Sequence, residues 1–412
     1  MLRRRYRRTC NLFGSKRMTS CEVGQGLALR LQTSMSFNAT TCSLLMLVLA
    51  IGGCGAGPNT TGSGGGPSSA EILYVSDNGA ILSYIINVGT GALQALGDIP
   101  FPDSVVDLRA DPKGRFLYAS DFNQNSVYAY SIDANTGSLT PINGSPFPFP
   151  GGVPRNGGPL AIDPGGKFLF YSNATGEIAT FLIDQVTGAL TPSSAGTQQD
   201  DYQPVQMVVH PTGGFLFTSN KANSSGGDFS VFMINTTTGA LTPAAGSPFT
   251  FLPNSEPFGI AVHGSGKYLY SPLANSRGVE GIDIDSSTGA LTAIQGSPFA
   301  NQAFSADSVA LDSLGKFLYV GNLSLGGVSA YTIDTMTGAL TELSTSPYQS
   351  IGALALAVDP SGNFLFVSGN GVLVGEIQSY AIDQSSGMLT RGPLTTLPAQ
   401  TSAQTLAIVS LK

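Results

Sequence analysis

The chain has 412 residues, 42% hydrophobic and only 11% charged, which is enough apolar material for a large packed core and too little charge for a disordered chain. Its net charge of -7 hides a division, because residues 1–53 hold eight of the 19 Lys and Arg and a single acid, Glu22, leaving residues 54–412 at a net -14. A body this acidic repels phosphate backbones and anionic headgroups, so no nucleic-acid partner is expected.

The chain opens on a basic run, Arg3 to Arg8, far upstream of the first apolar segment, SLLMLVLAI at Ser43 to Ile51. That segment is too short to span a bilayer and ends in the small residues Gly52 and Gly53 before Cys54, as a signal-peptide core does. Ile51-Gly52-Gly53-Cys54 resembles a bacterial lipobox, in which the cysteine is lipidated and becomes the new N-terminus; an ordinary secretory signal is the alternative. Met18 and Met35 are candidate true starts. The stretch GAGPNTTGSGGGPSSA after Cys54 is a Gly/Ser/Thr/Pro tether with no side chains to pack. The sequence therefore predicts an export segment over 1–53, a lipidated tether over 54–70 and a folded body over 71–412. It places the protein in the bacterial cell envelope, periplasm or outer membrane, touching membrane only through Cys54. All four cysteines lie within the first 54 residues, so disulfides do not hold the body together.

The body is a repeat. Turns of the form Thr-Gly-Ala-Leu recur with their glycines at Gly91, Gly137, Gly188, Gly239, Gly289, Gly338 and Gly387, 46 to 51 residues apart. The best-formed unit starts at Leu160, LAIDPGGKFLFYSNATGEIATFLIDQVTGALTP. It reads as LAID, a turn at Asp163-Pro164-Gly165-Gly166, the aromatic run KFLFYSN, the run IATFLID, a turn over Gln185 to Gly188, and a short fourth strand. Asp184 suits the turn as a backbone-capping acceptor and Gly188 as the residue free to take positive φ. The recurring turn is thus read as a hairpin device.

Four strands cannot bury both faces alone, so the units must stack, and sheets stacked radially form a propeller. The expected fold is all-β: a seven-bladed β-propeller of four-stranded blades, acting as a monomer. The first unit begins at EILYVSDNG, Glu71 to Gly79, without an inner strand, and the missing strand is found at the other end as TLAIVSL, Thr405 to Leu411. The termini are expected to complete one blade together.

The pattern apolar-Asp-Pro-x-Gly-Lys-Phe-Leu-Tyr, then Tyr-x-Ile-Asp and TGAL, resembles the seven-bladed propeller lactonase family, which includes bacterial 6-phosphogluconolactonases and is similar to muconate-lactonizing propellers. The resemblance covers roughly residues 72–412. It implies hydrolysis of a cyclic ester at one mouth of the central channel by His, Arg and Glu side chains. Here the family's Gly-Pro-Arg-His stretch corresponds to Gln203-Pro204-Val205-Gln206, with Val205 in place of Arg and Gln206 in place of His. Asn220 and Lys221 stand where a Glu is expected, and Ile260-Ala261 where the family has Ile-His. Val, Gln and Ala cannot accept a proton, so the inherited catalytic set is absent.

The remaining chemistry is sparse. His210 and His263 occupy the slot that carries Asp in four other units and read as turn residues. Gly264-Ser265-Gly266-Lys267 is the ordinary hairpin of the repeat, not a phosphate loop. No clustered His or Cys suggests a metal, and no cofactor is expected. Lys113, Arg115, Lys167, Lys267 and Lys316 are expected only to solubilise the hairpin face. Gly-Ser-Pro-Phe at 144–147, 246–249 and 296–299 reads as a blade connector with a packed Phe.

Residues that break the repeat are more informative. Arg109 stands where Ala161, Ala261, Ala310, Ala357 and Ala407 stand in other units. Aligning the starts of the inner strands puts Thr405, Asp107, Pro159, Gln206, Gly259, Ser308 and Ala355 around one mouth, with Asp307 beside them. The loops bearing Asn220, Lys221, Asn275 and Arg277 are expected to open onto it. Two functions fit. The first is a rebuilt lactonase, with Asp107 or Asp307 as base and Arg109 steadying the oxyanion; the second is a non-catalytic binding or interaction propeller. Either takes a small polar or sugar-like ligand at the mouth, with Gln206, Asn220, Lys221, Arg277, Asp307, Ser308 and Thr405 as its contacts.

Overall fold

Residues 65–412 make one compact unit. The computed structural model of the chain describes residues 70–411 apart from 78, 103, 152–155, 224–225, 252–254, 277, 325–326, 371–374 and 399–403. The predicted export segment, Cys54 and all but the last residue of the predicted tether lie outside the described residues.

The described chain folds into seven antiparallel sheets, blades 1 to 7, whose second strands are Glu71–Asp77, Phe116–Asp121, Phe168–Asn173, Phe215–Asn223, Tyr268–Leu273, Phe317–Ser324 and Phe364–Asn370 in turn. In blade 3 the sequence runs outward from the inner strand Gly157–Ile162 through Phe168–Asn173 and Glu177–Ile183 to the outer strand Leu190–Gln199. Second strands such as Phe168–Asn173 and Tyr268–Leu273 are buried along their length, because a neighbouring blade covers each face. That is why these strands read as continuous apolar runs instead of alternating ones. Each inner strand touches the inner strand of the next blade around a complete circuit, so the fold is the predicted seven-bladed β-propeller.

The core is divided among the seams between blades. Seven apolar clusters each join residues of two adjacent blades; Phe116, Tyr118, Leu169 and Phe181 belong to the one between blades 2 and 3. The repeated turn takes part in every seam. Its cap is the predicted one: Asp184 Oδ1 accepts from the amides of Val186 and Thr187 at 2.9 and 2.8 Å, and Gly188 has φ of +73°. These backbone amides hold the Asp184 carboxyl below the usual range. Beyond this, Gly188 lies flat against the preceding blade, where a methyl group would come within 2.5 Å of the Phe116 ring. Its carbonyl also accepts from Tyr118 Oη at 2.9 Å. Gly137 on Ile72, Gly338 on Tyr268 and Gly387 on Phe317 repeat the packing, and the hydroxyls of Tyr74, Tyr270 and Tyr319 repeat the bond. The turn is therefore a blade-docking device as well as a hairpin.

The hairpin face holds a correction. Arg115 pairs with Asp111 at 2.9 Å and donates to the Gln185 carbonyl in the next blade's turn at 2.6 Å, while Lys167 Nζ donates to the carbonyls of Thr236 and Thr237. These two cations tie blades together and do not merely solubilise. His210 and His263 are buried in the hairpins, as expected, and Nε2 of each lies 2.8 Å from a carbonyl of the following hairpin, Gly266 or Gly315. The connector serines also carry a load: Ser145, Ser247 and Ser297 accept the amides of Ala129, Val231 and Gly281, and the adjoining Phe147, Phe249 and Phe299 pack into the seams.

The ring closes as predicted. The strand Leu406–Ser410 pairs antiparallel with Glu71–Asp77, placing Ala407 opposite Tyr74 and Val409 opposite Ile72. Blade 1 has no inner hairpin, because the chain's two ends meet there. In its place the buried carboxyl of Glu71 faces Asp359 of blade 7, and burial together with the Asp359 charge raises the Glu71 pKa to about 7.

Candidate active site in the central channel

The inner strands run side by side and enclose a cavity of about 470 Å³. All seven aligned positions, Thr405, Asp107, Pro159, Gln206, Gly259, Ser308 and Ala355, line it. A second layer also does so, one residue earlier in six of the blades: Gln404, Val106, Val205, Phe258, Asp307 and Leu354. In blades 2, 4, 6 and 7 the pairing register shifts by one residue at this point, leaving Val106, Val205, Asp307 and Leu354 without a strand partner. Such bulges turn a side chain away from the regular pleat, and all four of these residues line the cavity. Three are aliphatic. The fourth, in blade 6, is a carboxylic acid, preceded by Ser305 at φ +61°, a strained conformation for a residue with a side chain.

Asp307 is half-buried, with Phe258 and Leu354 at the same level in the adjoining blades, and burial raises its pKa to about 6. Among the described residues none hydrogen-bonds to its carboxyl. Asp107 differs in every respect. Its Oδ2 accepts from the Leu160 amide at 3.1 Å and from Arg109 Nε at 3.0 Å, and its own amide is bonded to Ser120 Oγ. Of the two acids considered as base, Asp107 is occupied as an anchor and Asp307 is the one with an unengaged carboxyl.

Arg109 lies two residues deeper along its strand, and its side chain is 34% exposed. Asp107 fixes its Nε edge, leaving the two terminal nitrogens without a partner among the described residues. Gln206 mirrors Asp107 across the ring: its Oε1 accepts from the Ile260 amide of the next blade at 2.7 Å, so its NH2 is left for the cavity. Thr405 is held by its amide to Ser76 Oγ at 3.0 Å. Ser308 lines the cavity, yet its hydroxyl is buried without a partner and lies against Gly321, where a side chain could not fit. In the other blades this second-strand position is a serine, as at Ser120, Ser219 and Ser271.

Asn220 is not at the mouth, which corrects its assignment as a ligand contact. It is fully buried inside blade 4, where its Nδ2 donates to Asp228 at 2.8 Å, Ser230 at 2.9 Å and Asp200 at 3.3 Å. Asp200 further accepts from Ser230 and Thr218, so the cluster pins the connector from blade 3 to the middle strands of blade 4. Asn301, Asn322 and Ser329 repeat it in blade 6. The Lys221 side chain and Arg277 lie outside the described residues. Among the described residues no group of three or more His, Cys, Asp and Glu is placed to hold a metal.

Comparison with known proteins follows the same lines. The family described as "Lactonase, 7-bladed beta-propeller" matches residues 99–203, 145–250 and 194–401. An Arthroderma benhamiae protein named a probable 6-phosphogluconolactonase is 31% identical over 150 residues, 34% of this chain and 36% of the relative. A 6-phosphogluconolactonase of Formosa agariphila is 39% identical over 87 residues, 20% of this chain and 23% of the relative. The chain thus spans about a third or less of the length of these relatives. The crystal structure of a candidate 6-phosphogluconolactonase from Bacteroides fragilis superposes with a TM-score of 0.72 at 22% identity, covering 84% of this chain and all of that one; at that identity the likeness is one of fold.

Proposed function

Because the chain belongs to the seven-bladed β-propeller lactonase family, we propose that it is a lactonase-type carboxylic ester hydrolase whose channel has been rebuilt around Asp307. The observation that carries this reading is the bulged Asp307 carboxyl, unengaged and shifted toward neutrality, in the same cavity as a guanidinium held at one edge. In the proposed reaction Asp307 takes a proton from water as the water oxygen bonds to the lactone carbonyl carbon. The carbonyl electron pair moves onto oxygen, where Arg109 stabilises it. Collapse then breaks the ring C–O bond, and the departing alkoxide recovers the proton from Asp307. Asp107 keeps Arg109 oriented, and the Gln206 amide donates to the substrate.

Purified protein tests this against a panel of sugar and aliphatic lactones. Asp307→Asn is expected to lose roughly a hundredfold or more in kcat, the usual worth of a positioned base, and Arg109→Gln a comparable factor. Wild-type turnover no faster than buffer ends the enzymatic reading. A binding propeller is then the second reading, favoured by the loss of the family's His, Arg and Glu positions to Gln206, Val205 and Asn220.

The export reading belongs to the same proposal. SLLMLVLAI followed by Cys54 supports a lipid-anchored protein of the bacterial cell envelope. Metabolic labelling with a fatty acid is expected to mark the wild type and to miss Cys54→Ser.

A further inference from the structure

Three ionisable side chains face the cavity among the described residues: Asp107, Arg109 and Asp307. Arg109, the one cation of the three, is paired through Nε with Asp107 at 3.0 Å; its terminal nitrogens can still meet one developing oxyanion, but with Asp307 ionised the carboxylates outnumber the guanidinium two to one. Phosphate recognition favours the opposite balance, a surplus of cations or a set of backbone amides to offset the dianion. A phosphoryl group entering here would meet two carboxylates in a partly enclosed, low-dielectric space, where unlike and like charges act strongly. The rest of the wall mixes apolar side chains, among them Val205, Val208, Phe258 and Ile260, with uncharged polar ones, Gln206 and Thr405. Such a surface suits a ring with hydroxyls and an apolar face, and its volume suits a small molecule.

We propose that the channel selects an uncharged, hydroxylated lactone and discriminates against the phosphorylated form of the same ring, and that Asp107 sets this preference by masking Arg109. The proposal rests on the lactonase reading for the ligand's ring chemistry, but its electrostatic content is independent of turnover. Asp107 is here a specificity residue: it holds no substrate and acts through the guanidinium.

The test is equilibrium binding of two hydrolysis-resistant probes, gluconolactam and its 6-phosphate, by calorimetry at low salt. Wild type is expected to bind the uncharged lactam at least about tenfold more tightly, the scale of one poorly screened charge contact. Asp107→Asn keeps an oxygen for the Leu160 amide while unmasking Arg109, and is expected to bring the two affinities together or reverse their order. Should that variant fail to fold, Asp307→Asn removes the other carboxylate and is expected to narrow the gap likewise. Equal or tighter binding of the phosphate by wild type, no binding of either probe, or an unchanged ratio in the folded variants would overturn the proposal. Hydrolysis of gluconolactone and its 6-phosphate, followed in parallel, separates the two claims. Selective binding without turnover removes the lactonase reading and leaves the ligand class standing, whereas turnover that favours the phosphate does the reverse.

Discussion

Asp307 and Asp107 show how two acids at neighbouring levels of one channel acquire different chemistry. Asp107 accepts hydrogen bonds from the Leu160 amide and from Arg109 Nε, so its carboxylate is already committed to holding two neighbours. Asp307 has burial and no partner among the described residues, so its ionisation lies at about 6, where a base is useful near neutrality. If Asp307 is the base, kcat/KM must rise with pH through about 6 and level off above it, since the deprotonated form is the active one. A rate falling over that range assigns the proton the opposite role. The repeat alignment pointed to Asp107 and Gln206 as members of the ring at the mouth and to Asp307 beside it. It could not separate the two acids, since the bulge that aims Asp307 into the channel is a matter of strand register, and the inner strands carry no regular polar and apolar alternation that would fix it. The Asn220 expectation failed for a related reason. A polar residue at the end of a strand looks the same in sequence whether it meets solvent or, as here, a buried carboxylate pair.

At the scale of the element, the recurring turn is the feature most fully legible in the chain. Its Asx cap and positive φ followed from Asp184 and Gly188. Its docking on the preceding blade did not, because the partners, Phe116 and Tyr118, lie some 70 residues away. Two independent costs therefore attach to Gly188→Ala: a left-handed conformation that alanine resists, and overlap with the Phe116 ring. Together they are expected to destabilise the protein by about 2–3 kcal/mol. Tyr118→Phe deletes only the hydroxyl bond to the same turn, and a loss of about 1 kcal/mol is expected. Denaturant melts of the two variants check this, and equal effects would mean that the turn docks through its hydrogen bond alone.

For the whole molecule, closure of the ring follows from seven similar units and a stray final strand, and the register of Ala407 on Tyr74 bears it out. What the sequence conceals is that closure sets a carboxyl against a carboxyl. Glu71 is raised to about 7, and burial likewise raises Glu280 to about 7 and Asp200 to about 6. Each binds a proton in the folded protein at a pH where the unfolded chain has released it, so its stabilisation is complete below the ordinary value, 4.5 for the glutamates and 3.8 for Asp200, and is lost as pH climbs through about 7 and about 6 respectively. Thermal melts are expected to show a higher Tm near pH 5 than near pH 8, and Glu71→Gln to flatten part of that slope. The turn aspartates act oppositely and only in acid: Asp285 and Asp383, held at about 2 by serine and backbone hydrogen bonds, stabilise less as pH falls below the ordinary carboxylate range. The most direct measurement of the central claim is the rate of gluconolactone hydrolysis above buffer across pH 5 to 8, for wild type and Asp307→Asn. A wild-type rate that rises through about pH 6 and disappears in a variant that still folds and binds is the predicted result; an Asp307→Asn enzyme with the wild-type rate and profile would contradict it.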